Sequence, residues 1–155
     1  MKAHVLIVAD GRSPTTQRWI ANILALDYQV SLISTYPCQE LTGLTHFHIL
    51  PAAFSRFSSG KQPASKPKRN TLLKSWVRRL TPAFQYLRYY LGPITLPLAQ
   101  GEYQKLVESI NPDLVHALRI PFEGMLASAT PRTIPLAVAI WGNDLTLHAK
   151  GSPLM

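Results

Sequence analysis

The feature that most constrains the fold is an apolar run near the start of the chain. Residues 5–9 read VLIVA, and the polar residues Asp10, Gly11, Arg12 and Ser13 follow directly. Because polar residues do not alternate with apolar ones in this run, we expect a strand covered on both faces, which is typical of a parallel sheet flanked by helices. Ligands of such sheets bind beyond the carboxyl ends of the strands. The sequence therefore predicts a ligand-binding edge at residues 10–13.

The rest of the chain continues this pattern of strands and helices. A helix is predicted from about residue 15 to residue 26, with Ser13 as its N-cap and Pro14 at its first position. Further strands are predicted over residues 28–34, 46–50, 114–117 and 134–140, the last of them buried. Further helices are predicted over residues 70–91, 96–110, 123–129 and 145–150. The order predicts a doubly wound, Rossmann-like α/β fold with a mostly parallel sheet.

Composition and length favour one globular domain. The chain has 155 residues, of which 46% are hydrophobic and 15% charged, and this suits a single core. No apolar run reaches the roughly 20 residues that cross a bilayer, and the start of the chain is interpreted as a strand and not a signal peptide. The single Cys38 excludes an internal disulfide and a cysteine-based metal site. We expect a cytoplasmic protein without a metal.

The net charge of +8 belongs to one segment. Between residues 41 and 101 there is no Asp or Glu, and there are nine basic residues: Arg56, Lys61, Lys66, Lys68, Arg69, Lys74, Arg78, Arg79 and Arg88. Residues 55–68 are rich in Ser, Gly, Pro and Lys, which predicts a mobile loop. The helices that follow have apolar positions that include Leu91 and Leu98, and Pro82 is expected to kink or divide the first of them.

This basic segment has three interpretations. In the simplest, which we favour, the apolar face packs on the sheet and the basic side chains are solvated. In the second, residues 55–91 lie on an anionic membrane surface with their aromatic side chains in the headgroup region. In the third, the basic side chains contact the phosphates of nucleic acid. Binding to nucleic acid is the least favoured of the three interpretations.

Three predicted strands deliver polar residues to the same edge of the sheet, at residues 10–13, 116–119 and 141–144. Gly11 would let the backbone approach a ligand closely. Arg12, together with the amides at the start of the first helix, would bind an anion. The alternative is that Asp10 and Ser13 only cap the helix, since the sequence has no full glycine-rich fingerprint.

His116, Arg119 and Asp144 are the side chains at this edge that suit chemistry. His116 can exchange a proton with a sugar-like hydroxyl, although a histidine at a strand end is often a structural residue. Arg119 follows a buried strand, where an arginine has few structural duties. Asp144, beside Asn143, is either functional or the cap of the helix that follows. Motifs of metalloproteases, P-loop proteins and serine hydrolases do not occur.

Four segments resemble a known family in their order and spacing. They are VLIVADGRSP at 5–14, VSLIST at 30–35, NPDLVHALRIPFEG at 111–124 and LAVAIWGNDL at 136–145. Together they look like the N-terminal domain of glycosyltransferase family 4, also called group 1, which has the two-domain GT-B architecture. The resemblance covers most of the chain except the basic segment at about residues 55–98.

The resemblance implies retaining transfer of a sugar from a nucleotide-sugar donor to a glycan or lipid-linked acceptor, with no further cofactor. It implies that Gly11, Arg12 and Ser13 lie near the donor phosphates. His116 and Asp144 become the predicted catalytic residues, and Arg119, Glu123, Trp141 and Asn143 join the predicted substrate-binding set. The lipid-linked acceptor suits a location on the inner face of the membrane.

Two departures from the family pattern are present. Many members have a pair of glycines in the first turn, where this chain has only Gly11, and many have a histidine where Trp141 stands. The donor-binding C-terminal domain is absent from residues 1–155, so we expect a truncated chain that is inactive alone. The alternative function is a non-catalytic α/β module that binds an anionic or sugar ligand.

Overall fold

A computed structural model describes residues 2–53, 55 and 71–148, of which residues 71–89 and 147–148 by the course of the backbone alone. The loop predicted over residues 55–68 lies, apart from Ser55, outside the described residues, and so does the end of the last predicted helix. The strands are β1 (His4–Ala9), β2 (Gln29–Ser34), β3 (Phe47–Ile49), β4 (Leu114–Ala117) and β5 (Leu136–Val138). The helices are α1 (Pro14–Ala25), α2 (Thr71–Ile110) and α3 (Met125–Ala127), with a non-helical turn over Ile120–Gly124 and a π turn over Asp144–His148.

The five strands form one sheet in the order β3-β2-β1-β4-β5, and every pair is parallel. Val8 of β1 is paired with Ile33 of β2 on one side and with Ala117 of β4 on the other. The predicted Rossmann-like α/β fold is therefore confirmed, with an entirely parallel sheet. The strand order reverses between β1 and β4, and such a switch point is where open parallel sheets form a crevice for ligands.

The central strand β1 is buried along its whole length because helices cover both faces of the sheet. Val5, Ile7 and Ala9 pack in the cluster that contains Ile20 of α1. Leu6 and Val8 pack on the other side, with Tyr103 and Val107 of α2 and with α3. Burying each large aliphatic side chain contributes about 1.5–3 kcal/mol to the free energy of folding. The unbroken apolar run at the start of the sequence is explained by these two covering layers.

The helices predicted over residues 70–91 and 96–110 are one helix, so the break expected between residues 91 and 96 is wrong. A division at Pro82 is also wrong. The helix α2 is continuous from Thr71 to Ile110. A proline removes one backbone hydrogen bond from a helix, and here that loss does not end the helix. No helix in the described part of the chain is both long and apolar enough to cross a membrane.

The apolar face of α2 does not all pack on the sheet. Leu96, Tyr103 and Val107 are buried, whereas Leu91 and Leu98 are exposed. Residues 91 and 98 lie two turns apart, on the side of the helix opposite Tyr103. The favoured interpretation, in which the apolar face of residues 55–91 packs on the sheet, is therefore wrong for Leu91.

Strand β5 was expected to be buried, and this is also wrong. It pairs with β4 and lies at the edge of the described sheet. Leu136, Val138 and Ile140 are exposed as a result. An unbroken apolar run indicates a strand that is covered on both faces, but the run itself does not specify how far the described helices cover those faces.

Candidate functional site

The carboxyl ends of β1, β2, β4 and β5 bring together polar side chains that are distant in sequence. We call this group the strand-end cluster, and it is defined by eight residues: Asp10, Gly11, Arg12, Thr35, Tyr36, Arg119, Glu123 and Asp144. Parallel strands end at the same edge of a sheet, which is why these segments meet. Backbone hydrogen bonds extend the strand pairing into the cluster, from the Leu118 amide to the Val8 carbonyl and from the Thr35 amide to the Ala9 carbonyl.

Gly11 is held against the end of β2. Its backbone amide donates to Oγ of Ser34 at 3.0 Å. A Cβ atom on Gly11 would lie 2.5 Å from Sγ of Cys38 and 3.0 Å from Oγ of Ser34. Packing with β2 therefore requires glycine at this position. The close approach that we expected to serve a ligand is used by the protein's own side chains.

Arg12 is paired with Asp10 and stacked on Tyr36. The guanidinium of Arg12 donates from Nε to Oδ1 of Asp10 at 3.0 Å and from Nη2 to Oδ2 at 2.9 Å. Its central carbon lies 3.7 Å from the centre of the Tyr36 ring, a cation–π contact. The stack fixes the plane of the guanidinium at the strand ends. An incoming phosphate would compete with Asp10 for the same two donors.

Ser13 is the N-cap residue of α1, and Pro14 occupies the first turn, as predicted. The Ser13 side chain makes no capping hydrogen bond. Its backbone amide donates to the Asp10 carbonyl at 3.1 Å. The side-chain amide of Gln17 donates to the Gly11 carbonyl at 3.2 Å, so α1 is tied to the turn through Gln17.

Glu123 is a buried carboxylate below the surface of the cluster. The hydroxyl of Thr35 donates to Oε1 of Glu123 at 3.0 Å, which joins the end of β2 to the segment after β4. The residue before it, Phe122, has a φ of 62°, a conformation that costs a bulky side chain roughly 1–3 kcal/mol. Phe122 packs so tightly against Gly92 of α2 that a Cβ there would lie 2.7 Å from its ring. The structure places Glu123 in the interior.

Asp144 joins the ends of β4 and β5. Its Oδ1 accepts from Nη2 of Arg119 at 3.3 Å, and its Oδ2 accepts from the backbone amides of Trp141 at 3.1 Å and Ile120 at 3.3 Å. The bond to the Trp141 amide reaches back to the start of the helical turn, as a capping carboxylate does. The three donors all lie before Asp144 in the chain, so the predicted capping of the helix after Asp144 stays a prediction. A catalytic role for Asp144 stays a prediction.

His116 lies on the α1 side of the sheet. Its ring meets Trp19 of α1 edge to face, with 5.7 Å between the ring centres. Burial lowers the pKa of His116 below its usual value, because the charged imidazolium loses solvation there. Among the described residues, no hydrogen bond joins His116 to Asp144 or Arg119. A catalytic role for His116 also stays a prediction.

The two remaining predicted residues, Trp141 and Asn143, lie on the segment after β5, where Trp141 is half-buried and Asn143 is exposed. The sequence analysis missed the contribution of β2, whose end supplies Ser34, Thr35 and Tyr36. Ser34 accepts from the Gly11 amide and donates to the Tyr36 carbonyl at 2.6 Å. The signal for these residues was present, since they are polar residues that follow the apolar pair Leu32 and Ile33 at the end of a predicted strand.

The cluster offers two guanidinium groups, of Arg12 and Arg119, at the ends of adjacent strands, so it suits an anionic ligand better than a metal ion. Within the described residues, no three His, Cys, Asp or Glu side chains come close enough to hold a metal. Comparisons with protein-family models, with curated proteins and with solved structures found no match to this chain.

Proposed function

We propose that the chain is the acceptor-side domain of a retaining glycosyltransferase of GT-B architecture, which uses a nucleotide-sugar donor. The observation that carries the proposal is the position of Arg12 and Arg119 after β1 and β4, the two strands that flank the switch point. Ligands of doubly wound sheets bind at that point. Guanidinium groups pair with the oxygens of phosphates in a fixed geometry. The four segments resemble those of glycosyltransferase family 4, and this resemblance is the reason for proposing sugar transfer at the anion-binding edge.

In this proposal, Arg12 and Ser13 face the diphosphate of the donor. Arg119 and the exposed Asn143 face the sugar and the acceptor, and Asp144 holds Arg119 in position through their hydrogen bond. His116, whose pKa is lowered by burial, is neutral at pH 7 and therefore able to accept a proton. In the GT-B architecture the donor is held mainly by the second domain, so in this proposal sugar transfer requires both domains. We place the protein in the cytoplasm, with a glycan or lipid-linked acceptor.

A second candidate is a non-catalytic α/β module that binds an anionic or sugar ligand at the same edge. The observation that favours it is the engagement of the acidic side chains. Asp10 is paired with Arg12, and the Asp144 side chain is 0% exposed and accepts three hydrogen bonds. A cluster that is already neutralised in this way suits binding more readily than proton transfer.

A transfer assay separates the two candidates. The product of the whole reading frame, with any sequence after residue 155, is incubated with a panel of labelled nucleotide sugars and with glycan and lipid extracts as acceptors. We expect label to reach an acceptor, and we expect Arg119→Met to reduce the rate by at least about tenfold, since a charged hydrogen bond to the substrate is lost. No transfer from any donor, together with saturable binding of inorganic pyrophosphate, would support the binding module instead.

A further inference from the structure

The middle of α2 carries an exposed apolar stripe. We call it the α2 stripe, and it consists of four residues: Tyr90, Leu91, Ile94 and Leu98. Their spacing of three and four residues places them on one face of the helix. Leu98 is 86% exposed, which is the largest exposure among the described large hydrophobic side chains. A contiguous apolar surface of this kind marks an interaction site more often than scattered single residues do.

The stripe is not needed to hold α2 on the sheet, because the opposite face of the helix does that. Leu96, Tyr103 and Val107 are buried in the core cluster that also contains Leu6 and Val8 of β1. The helix is thus apolar on two sides at this level, one facing the protein and one facing solvent. The exposed side is not covered by any described residue.

The stripe belongs to the most basic part of the sequence. Lys74, Arg78, Arg79 and Arg88 precede it on the same helix, and no Asp or Glu occurs between residues 41 and 101. In the sequence, apolar residues continue at helical spacing toward the start of α2, at Leu87, Leu80 and Trp76. A long helix with an apolar stripe and basic residues is typical of segments that lie in the plane of a membrane interface.

Apolar surface also extends beside the stripe. Pro93 and Pro97, the neighbours of Ile94 and Leu98, line an open groove of about 410 Å³ together with Leu96, Met125 and Val138. The lining of this groove is largely apolar, and no charged side chain contributes to it. The stripe and the groove therefore offer more apolar area than four side chains alone.

We propose that the α2 stripe docks on an anionic lipid surface, with α2 lying along the headgroup region. Charge decides between the possible occupants. A second copy of the chain would carry the same net charge of +8, and like charges repel. An anionic lipid surface attracts a chain of this charge, and Tyr90 has the amphipathic ring that suits the headgroup level. The stripe shares no residue with the strand-end cluster, so the proposal does not depend on the transferase function.

Vesicle co-sedimentation tests the proposal with two matched substitutions. The whole chain is mixed with vesicles of phosphatidylcholine alone, or of phosphatidylcholine and phosphatidylglycerol in equal parts, at low and high salt. Leu98→Asp and Leu26→Asp make the same chemical change at exposed positions, since Leu26 at the end of α1 is 70% exposed. We expect Leu98→Asp to weaken binding to the anionic vesicles at least ~10-fold, and Leu26→Asp to have little effect.

A variant in which two arginines are replaced by glutamine tests the contribution of charge. Arg79→Gln with Arg88→Gln, at positions that flank the stripe by helical spacing, should weaken binding to the anionic vesicles about fivefold per residue, and added salt should weaken the binding of the wild type. Equal binding to both kinds of vesicle, no binding to either, or equal effects of Leu98→Asp and Leu26→Asp would overturn the proposal. A wild-type dimer that Leu98→Asp converts to a monomer in sedimentation equilibrium would show that the stripe is a subunit interface instead.

Discussion

Nη2 of Arg119 lies 3.3 Å from Oδ1 of Asp144, although 25 residues of chain separate the two side chains. The carboxylate is fully buried, whereas the Arg119 side chain is 36% exposed. Asp144 is therefore the buried, structural member of the pair, and Arg119 is the member that reaches the surface. The pair fastens the segment after β5 to the segment after β4, and it gives Arg119 a fixed orientation at the edge of the sheet.

We expect Asp144→Asn to destabilise the fold by about 2–4 kcal/mol. The Asp144 carboxylate accepts hydrogen bonds from Arg119 and from the amides of Trp141 and Ile120. The amide nitrogen of asparagine is itself a hydrogen-bond donor, so it cannot accept from these groups. Urea denaturation followed by circular dichroism measures the change. Asp27→Asn is the matched control, since Asp27 makes an exposed ion pair with Lys2 and should cost less than about 1 kcal/mol. Equal effects of the two variants would refute the structural role of Asp144.

Gly11→Ala should destabilise the chain by about 1–3 kcal/mol, because overpacking forces its neighbours to move. The atom in the way is Sγ of Cys38, 2.5 Å from the position of the new Cβ. Cys38→Ala removes that atom, so the double variant should recover part of the loss. A double-mutant cycle from thermal denaturation measures the coupling. Additive effects would mean that Cys38 is not the obstacle.

Thr35→Val should destabilise the chain by about 1–3 kcal/mol, since a buried carboxylate loses a donor. The hydroxyl of Thr35 donates to Glu123 inside the protein. Thr146→Val is the matched control, because the hydroxyl of Thr146 donates to a backbone carbonyl in an exposed position. Chemical denaturation of both variants compares them. A loss at Thr35 no larger than that at Thr146 would contradict a stabilising role for the Thr35–Glu123 contact.

The free energy of unfolding should decrease as the pH drops below about 6.5, because the pKa values of two histidines are lowered in the folded chain. Burial lowers the pKa of His116, and burial followed by the charge of His46 lowers the pKa of His4. In that range the unfolded chain binds more protons than the folded one, so protonation favours unfolding. NMR titration of the imidazole protons, assigned with His4→Gln and His116→Gln, measures the pKa values. A value at or above that of a free histidine side chain would contradict the prediction for that residue.

Asp10→Asn should raise the affinity of the cluster for inorganic pyrophosphate by up to about fivefold, the equivalent of an exposed ion pair. Asparagine keeps an oxygen for the Arg12 backbone amide, which Asp10 accepts at 3.0 Å, but it releases the guanidinium charge to the ligand. Arg12→Met should abolish the gain. Isothermal titration calorimetry measures both. Unchanged or weaker binding in Asp10→Asn would mean that the ligand does not use Arg12.

Local pattern was sufficient for most of the elements. Strand β4 is found at residues 114–117 as predicted, and α1 begins at Pro14 after Ser13. These elements follow from side-chain period and from the chemistry of helix starts, which involve only near neighbours in sequence. The prediction allowed for a division of the helix at Pro82, but the loss of one backbone hydrogen bond does not interrupt α2 there.

The sequence predicted that the site lies at the edge where the strands end, but it did not predict which side chains are in contact there. Strand ends in a parallel sheet share one edge, so the positions of Arg12, Arg119 and Asp144 followed from the order of the elements. The hydrogen-bond and stacking partners of these side chains did not follow from that order. That Arg12 is paired with Asp10 and stacked on Tyr36, and that Thr35 is bound to Glu123, depends on side chains brought together by the pairing of β1 with β2 and β4.

The sequence alone determined that this protein is a parallel α/β domain, because the unbroken apolar run of β1 has no stable place except between two covering layers. Only the tertiary structure decided which apolar residues are covered. Tyr103 and Leu98 both read as core positions of a helix, yet one is buried against the sheet and the other points to solvent. Burial depends on which face of the helix the rest of the fold occupies, and that is a property of contacts distant in sequence.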